Sequence, residues 1–164
     1  MKRRDVLGVV RAVSVLLVAS ALLISCSNQN STVKESSGTK LLKGTWAWDI
    51  DSNTDGTQET VDIWWEHVNE RERYLAPRNG AGLAVVKDRK FENLQLSDLD
   101  KMEFAGGRLS ASDAKPDIDV GTVLAVRTTE GKFAKLEVTG FDPLKSVRHD
   151  IAKYDMRLRY VLYK

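Results

Sequence analysis

Apolar and polar residues alternate through much of this chain, and this period of two constrains the fold more than any other sequence feature. The alternation is clearest over residues 154–163, where apolar side chains take every second position: Tyr154, Met156, Leu158, Tyr160 and Leu162. The positions between them include Asp155, Arg157 and Arg159. Because successive side chains of a strand point to opposite faces of a sheet, this pattern predicts a strand with one buried face.

The same period predicts several more short strands. Residues 122–129 and 132–140 form two such runs, and Glu130-Gly131 between them predicts a hairpin. Two earlier runs cover residues 45–50 and 60–67. Turn signals separate the runs at Asn79-Gly80, Gly106-Gly107, Lys115-Pro116-Asp117 and Asp142-Pro143. Only residues 97–102 have a helical pattern, with Ser97 as the cap. The predicted fold is therefore all-β, either an antiparallel β-sandwich or a partly open barrel.

The N-terminal region has the composition of a secretory signal. Four basic residues lie within residues 1–11, and residues 12–24 form an uncharged run of 13. This run is shorter than the ~20 residues that a membrane-spanning helix needs, and a short apolar run after a basic start is typical of a signal peptide. The run ends in Leu-Ile-Ser-Cys, and Cys26 is the only cysteine of the chain. This ending resembles the lipobox of bacterial lipoproteins, whose cysteine is acylated and becomes the new N-terminus.

The lipobox resemblance divides the chain into three parts. Residues 1–25 are the predicted signal peptide, residues 26–40 a flexible tether that starts at the lipidated Cys26, and residues 41–164 the folded domain. The tether is rich in Ser, Asn and Thr, which is typical of linkers. An Asp after the cysteine commonly retains Gram-negative lipoproteins at the inner membrane, so Ser27 favours the outer membrane. The chain is therefore expected in the bacterial cell envelope, with the membrane as its partner through the lipid anchor.

Removal of the signal peptide changes the charge of the protein. The full chain of 164 residues has a net charge of +2, but residues 26–164 carry 21 basic against 22 acidic residues. The predicted mature protein is thus nearly neutral and has no basic stripe, which argues against nucleic acid as a partner.

Several segments of the domain resemble HmuY-like lipoproteins in their order and spacing. They are residues 48–56 (WDIDSNTDG), 61–65 (VDIWW), 78–82 (RNGAG), 121–138 (GTVLAVRTTEGKFAKLEV) and 157–163 (RLRYVLY). The resemblance implies an all-β, envelope-associated domain and, because some members bind haem between two His or Met side chains, a haem-type ligand. Three residues of this chain are candidate iron ligands on that basis: His67, Met102 and His149. Structural roles, a packed strand histidine for His67 and a solvated loop residue for His149, are the alternatives.

Residues 51–62 match the pattern of a calcium-binding loop. The spacing D-x-N-x-D-G places oxygen-bearing side chains at alternate positions, and the candidate ligands are Asp51, Asn53, Asp55, Thr57, Glu59 and Asp62. Calcium takes six to eight oxygen ligands, and Gly56 permits the sharp turn that directs them to one centre. The loop departs from the usual pattern because Asp62 replaces the longer Glu and no helices flank it. The alternative is an acidic hairpin turn, since Asp, Asn and Gly are common in turns.

All four tryptophans lie beside this loop, at positions 46, 48, 64 and 65. Core packing accounts for Trp46, Trp48 and Trp65. Trp64 and Trp65 are consecutive, so they point to opposite faces of a strand, and Trp64 is the candidate ligand-binding residue. An exposed tryptophan can stack on a sugar ring or on a flat cofactor.

No motif in the chain indicates an enzyme. The sequence has no G-x-S-x-G, no phosphate-binding loop and no H-E-x-x-H, and the one thiol belongs to the lipobox. The predicted function is therefore a noncatalytic, lipid-anchored domain that binds a small molecule, a haem-type ligand on the basis of the resemblance. The alternative is a calcium-stabilised carbohydrate-binding or adhesion module, and a hydrolase ranks third.

Overall fold

The computed structural model describes residues 35–56, 59–146 and 150–164, which form two five-stranded antiparallel sheets. Sheet A contains β1 (Glu35–Leu42), β6 (Gly82–Val86), β8 (Val123–Arg127), β9 (Phe133–Lys145) and β10 (Asp150–Tyr163), in the spatial order β1-β10-β9-β8-β6. Sheet B contains β2 (Ala47–Asp49), β3 (Thr54–Gly56), β4 (Ile63–His67), β5 (Arg73–Pro77) and β7 (Leu109–Ser110), in the order β3-β2-β4-β5-β7. The predicted all-β sandwich is confirmed.

The inner faces of the two sheets share one apolar core. Its fully buried members come from both sheets and include Trp48, Ile63, Trp65, Leu75, Leu124, Leu136, Leu158 and Leu162. Trp48 of sheet B meets Tyr160 of sheet A edge to face, with ring centroids 5.1 Å apart, a geometry that aromatic pairs prefer. Apolar residues at every second position of both sheets therefore explain the two-layer arrangement.

A third layer covers the outer face of sheet A. It contains a short 3-10 helix (Phe91–Asn93) and α1 (Leu96–Leu99). Phe91, Leu94 and Leu99 of this layer form a second apolar cluster with Ala125 and Tyr163 of the sheet. The helix predicted at residues 97–102 exists, but it begins earlier. Its N-cap is Gln95 rather than Ser97, and Asp98 Oδ2 accepts a hydrogen bond from the Gln95 amide at 2.9 Å.

Strand β9 extends beyond the predicted run and passes through Asp142-Pro143, where the sequence predicts a turn. Asp142 pairs with Asp155 and Leu144 pairs with Ile151, so the pairing with β10 shifts register between these points. Proline has no amide hydrogen to donate to a ladder, and an irregularity of this kind accommodates it within a strand. The turn prediction at Asp142-Pro143 is therefore wrong.

Strand β1 overlaps the segment that the sequence assigns to the tether. Glu35–Leu42 pairs along its whole length with the last residues of β10, so residues 35–40 are part of sheet A. Their polar composition is compatible with an edge strand, because the stabilising contacts are backbone hydrogen bonds to β10. Gly38 also lies against the Tyr160 ring, where a Cβ atom would come within 3.2 Å. Cys26 and the rest of residues 1–34 lie outside the described residues.

Candidate functional site

Two candidate ligands of the predicted calcium loop, Asn53 and Asp55, contact other parts of the protein. Asn53 Oδ1 accepts a hydrogen bond from the Trp48 indole at 3.1 Å, and Asp55 forms an ion pair with Lys40 of β1. The side chain of Asn53 therefore makes a contact within the β2–β3 hairpin, and that of Asp55 links the hairpin to β1. Glu59 is exposed, and Thr57 lies outside the described residues. The pattern predicts a turn, and two of its six candidate ligands, Asp51 and Asp62, lie close together.

Three other carboxylates do come together at this turn. Asp49, Asp51 and Asp62 each offer an oxygen within 4.8 Å of the others, and we call them the acidic cluster. Asp51 and Asp62 are positions 1 and 12 of the predicted loop, whereas Asp49 precedes the loop. Sequence reasoning missed Asp49 because the linear spacing begins at Asp51. The sequence signal that could have identified Asp49 is its position two residues before Asp51.

Backbone amides orient two carboxylates of the acidic cluster. Asp62 Oδ2 accepts from the Ile50 amide at 2.8 Å, and its Oδ1 accepts from the Thr129 amide at 2.6 Å. Asp49 Oδ1 accepts from the Ser52 amide at 3.0 Å. Thr129 belongs to the β8–β9 connection of sheet A, so Asp62 joins the two sheets at this end of the domain.

Ionisation of Asp62 within the acidic cluster costs free energy. Burial raises the pKa of Asp62, and the nearby charge of Asp51 raises it further, while the two amide hydrogen bonds act in the opposite direction. Lys132 Nζ lies 3.3 Å from Asp51 Oδ1 and also pairs with Glu130 at 2.5 Å. The ammonium of Lys132 is therefore shared between Asp51 of the acidic cluster and Glu130.

A second candidate site is the outer face of sheet B. Ile63, Trp65 and Leu75 point into the core, so the alternating residues of β4 and β5 point outward. Cross-strand pairing places these residues side by side: Trp64 opposite Ala76, Glu66 opposite Tyr74, and Tyr74 opposite Ser110. We call this set the aromatic face. Trp64 is half-buried there, as the sequence predicts for the exposed member of the Trp64-Trp65 pair.

Each ring of the aromatic face has an arginine stacked on it. The Arg78 guanidinium lies 4.1 Å from the centre of the Trp64 ring, and that of Arg108 lies 3.8 Å from the Tyr74 ring. Arg108 also lies 3.5 Å from Glu66, and half of its side chain is exposed, at 53%. The face thus combines flat rings with planar cations that reach solvent.

A polar cleft adjoins the aromatic face at Tyr74. It has a volume of 570 Å³, and Arg71, Ser110, Asp113 and Lys115 are among its lining residues. Ligand pockets are usually about 300–1,000 Å³ in volume. The cleft continues the polar and charged character of the aromatic face toward the 112–115 loop.

The tryptophans divide into buried and exposed members. Trp48 and Trp65 are fully buried, and their indole nitrogens donate to Asn53 Oδ1 and to the Tyr154 carbonyl. Trp46 was predicted in the core, but 44% of it is exposed and Lys43 lies over its ring at 5.2 Å. The prediction for Trp46 is wrong because the residue precedes β2, where Thr45 has a positive φ of 64° and the strand alternation has not begun.

Two of the three candidate iron ligands, His67 and Met102, lie within the described residues. His67 is at the end of β4 beside the Tyr154 ring, 5.1 Å away. Its Nε2 is buried and has no hydrogen-bond partner among the described residues. Burial lowers the pKa of His67, and the charge of Arg73 lowers it further. Met102 packs into the second apolar cluster on sheet A and lines a cleft of 320 Å³ there. His67 and Met102 therefore lie in different layers, and His149 lies outside the described residues.

Neither a protein-family model nor a curated protein sequence matches this chain. Among solved structures, the chain is similar to the crystal structure of the apo HmuY analog (TFO) of Tannerella forsythia. The two sequences are 12% identical, the alignment covers 80% of this chain and 98% of that chain, and the TM-score is 0.45. Within residues 35–56, 59–146 and 150–164, no helix has the length and apolar character of a membrane span.

Proposed function

We propose that this chain is a noncatalytic, lipid-anchored domain of the bacterial cell envelope that binds an acidic glycan on the aromatic face of sheet B. The observation that carries the proposal is the pairing of two outward rings, Trp64 and Tyr74, with two arginines. Trp64 and Tyr74 are diagonal neighbours across β4 and β5, and diagonal positions lie about 7–8 Å apart. Two rings at this separation can contact successive sugar units.

The charges of the aromatic face favour an acidic sugar over a neutral one. Arg78 and Arg108 can each bind a carboxylate with two parallel hydrogen bonds. Glu66 and the polar side chains of the adjoining cleft can bind sugar hydroxyls. Apolar rings that position a ligand and a few polar groups that orient it are typical of small-molecule sites.

A glycan array that includes oligosaccharides with uronic and sialic acids tests this proposal, using soluble Cys26→Ser protein. We expect binding to acidic oligosaccharides, and we expect Trp64→Ala to lower the affinity at least about tenfold, which corresponds to about 1.4 kcal/mol. Trp46→Ala is the matched control, because Trp46 is an exposed tryptophan outside the aromatic face. Equal loss of affinity in both variants, or binding that persists in Trp64→Ala, would contradict the proposal.

The lipid anchor is part of the proposed function and rests on the lipobox sequence. Acyl chains contribute roughly 0.8 kcal/mol per buried methylene, so two or more chains hold a protein stably at a membrane. We expect the wild-type protein in the membrane fraction of a bacterial host and Cys26→Ser in the soluble fraction. An unchanged distribution would rule out lipidation at Cys26.

A haem-type ligand is the second candidate, and one observation favours it. The Nε2 atom of His67 is buried without a hydrogen-bond partner among the described residues, and burial lowers the pKa of His67, which favours the neutral imidazole that ligates iron. Titration with haemin should then produce a Soret shift that His67→Ala abolishes and Met102→Leu does not. A titration without a Soret shift would remove this candidate and leave the glycan proposal untouched.

A further inference from the structure

The acidic cluster contains a carboxylate that the protein itself does not satisfy. The side chain of Asp51 is only 3% exposed. Both of its oxygens are buried without a hydrogen-bond partner among the described residues, although Lys132 lies nearby. A buried carboxylate without a hydrogen-bond donor is costly, and here it faces two further carboxylates within 4.8 Å. Its ion-pair partner Lys132 is shared with Glu130, so the negative charges around Asp51 exceed the positive charge.

The surrounding backbone holds the other two carboxylates in place while leaving lone pairs free. Asp62 accepts one amide hydrogen bond on each oxygen, and Asp49 accepts one on Oδ1. Each carboxylate oxygen can accept about two bonds, so these contacts fix the orientation without exhausting the acceptors. The carboxylates are thereby arranged around a common point before any ligand arrives.

We propose that Asp49, Asp51 and Asp62 bind a calcium ion that joins the β2–β3 turn to the segment before β4. Hard divalent cations take oxygen ligands, and calcium accepts irregular geometries that combine carboxylates with carbonyls and water. Magnesium demands a near-ideal octahedron, which favours calcium for a site whose carboxylates come from two separate backbone segments. Lys132 is the counter-ion of Asp51 without calcium, and calcium competes with it.

This site differs from the loop that the sequence pattern predicts, and the difference can be measured. Asp49 belongs to the acidic cluster but not to the linear pattern, whereas Asp55 belongs to the pattern but pairs with Lys40. Asp49→Asn retains an acceptor for the Ser52 amide while it removes a charge. Asp55→Asn makes the same chemical change in the same hairpin and is the matched control.

The experiment measures thermal unfolding of soluble Cys26→Ser protein in chelator, in calcium and in magnesium, together with calorimetric titration of calcium. We expect calcium at about 100-fold above its Kd to raise the Tm by several degrees. This shift should persist in Asp55→Asn and disappear in Asp49→Asn and Asp51→Asn. Because Lys132 competes with the ion, Lys132→Gln should bind calcium more tightly than the parent protein.

Three results would overturn the proposal. The first is a Tm and a calorimetric trace that calcium leaves unchanged in the parent protein. The second is a calcium shift that Asp55→Asn loses and Asp49→Asn retains, since this assigns the ion to the linear loop. The third is an equal response to magnesium, which contradicts the selectivity. If an aspartate variant does not fold, the Lys132→Gln titration still decides the proposal, because unchanged or weaker binding contradicts it.

Discussion

The two sheets of this domain differ in what covers their outer faces. The outer face of sheet A lies under the 3-10 helix and α1, and its side chains, such as Ala125, are fully buried. Even Lys135, which is 6% exposed, is enclosed there and donates its ammonium to the Leu94 carbonyl at 2.8 Å. The outer face of sheet B instead carries half-buried rings under solvent-reaching arginines. On the outer face of sheet A, aromatic and cationic residues are therefore enclosed by the third layer. On the outer face of sheet B, the same residue types form a surface that solvent reaches.

This contrast shows that residue type alone does not distinguish a buried lysine from a solvent-reaching arginine. Lys135 lies over the rings of Phe91 and Tyr163, and Arg78 lies over the ring of Trp64. The geometry is similar, but the connection between β6 and β7 supplies a cover only for sheet A. Variants on the two faces can test whether the third layer stabilises the domain and whether the aromatic face can be altered without loss of stability.

The largest loss of stability is expected from a change in the third layer, which covers the outer face of sheet A. Leu99 is fully buried in the second apolar cluster, so Leu99→Ala should lower the free energy of unfolding by about 2–5 kcal/mol, the usual cost of such a cavity. Urea denaturation measures this change. A loss below about 1 kcal/mol would indicate that the cover contributes little to the stability of the domain.

A substitution at Gly82 tests how closely the segment after α1 packs on sheet A. A Cβ atom at Gly82 would lie 2.6 Å from the Phe104 Cβ, so Gly82→Ala must displace the chain that follows α1. We expect a loss of about 1–3 kcal/mol. Gly106→Ala is the matched control, because a Cβ atom at Gly106 would meet nothing within 4 Å beyond its chain neighbours. Equal stability of the two variants would show that Phe104 moves aside freely.

The burial of Lys135 should make the stability of the domain depend on pH. Burial lowers its pKa below the ordinary 10.5, while Glu35 and Glu92 act in the opposite direction. In the window between the lowered pKa and 10.5, the unfolded chain binds more protons than the folded protein, so this group adds stability as the pH rises through that window. Relative to Lys135→Met, the wild-type protein should gain stability as the pH rises through this window toward 10.5. Parallel pH profiles in urea denaturation would contradict the enclosure of the amine.

The smallest effect on stability is expected on sheet B. Arg108 is half exposed, and its contacts with Tyr74 and Glu66 are of the kind worth about 0–1 kcal/mol. Arg108→Ala should therefore change the free energy of unfolding by no more than about 1 kcal/mol while it weakens acidic-glycan binding. A large destabilisation with unchanged binding would make Arg108 a structural residue and remove the contrast between the two faces.

Much of this architecture was predictable, because strict alternation reports a strand that is buried on one face. The predictable elements include the strand over residues 154–163 and the hairpin at Glu130-Gly131. Strand β1 was not predictable, since its stability comes from pairing with the edge of β10 rather than from its own apolar residues. Pro143 was assigned to a turn because the register shift that accommodates it is a property of two strands together.

The candidate sites divide in the same way. Trp64 was predictable from its place beside Trp65, because consecutive strand residues face opposite sides. Its arginine partner was not, since Arg78 follows β5 and reaches the ring only in three dimensions. Asp49 was missed for a related reason. A linear metal-binding pattern counts residues along one loop, whereas the acidic cluster takes its members from the ends of β2 and of the segment before β4.

The accessible surface of sheet B is tested most directly by the indole NMR signals of the four tryptophans during titration with an acidic oligosaccharide. The indoles of Trp48 and Trp65 are hydrogen-bonded inside the protein, and Trp46 lies outside the aromatic face. We predict a saturable shift of the Trp64 signal, with the other three nearly unchanged. A titration that moves the Trp46 signal while the Trp64 signal stays in place would contradict the account.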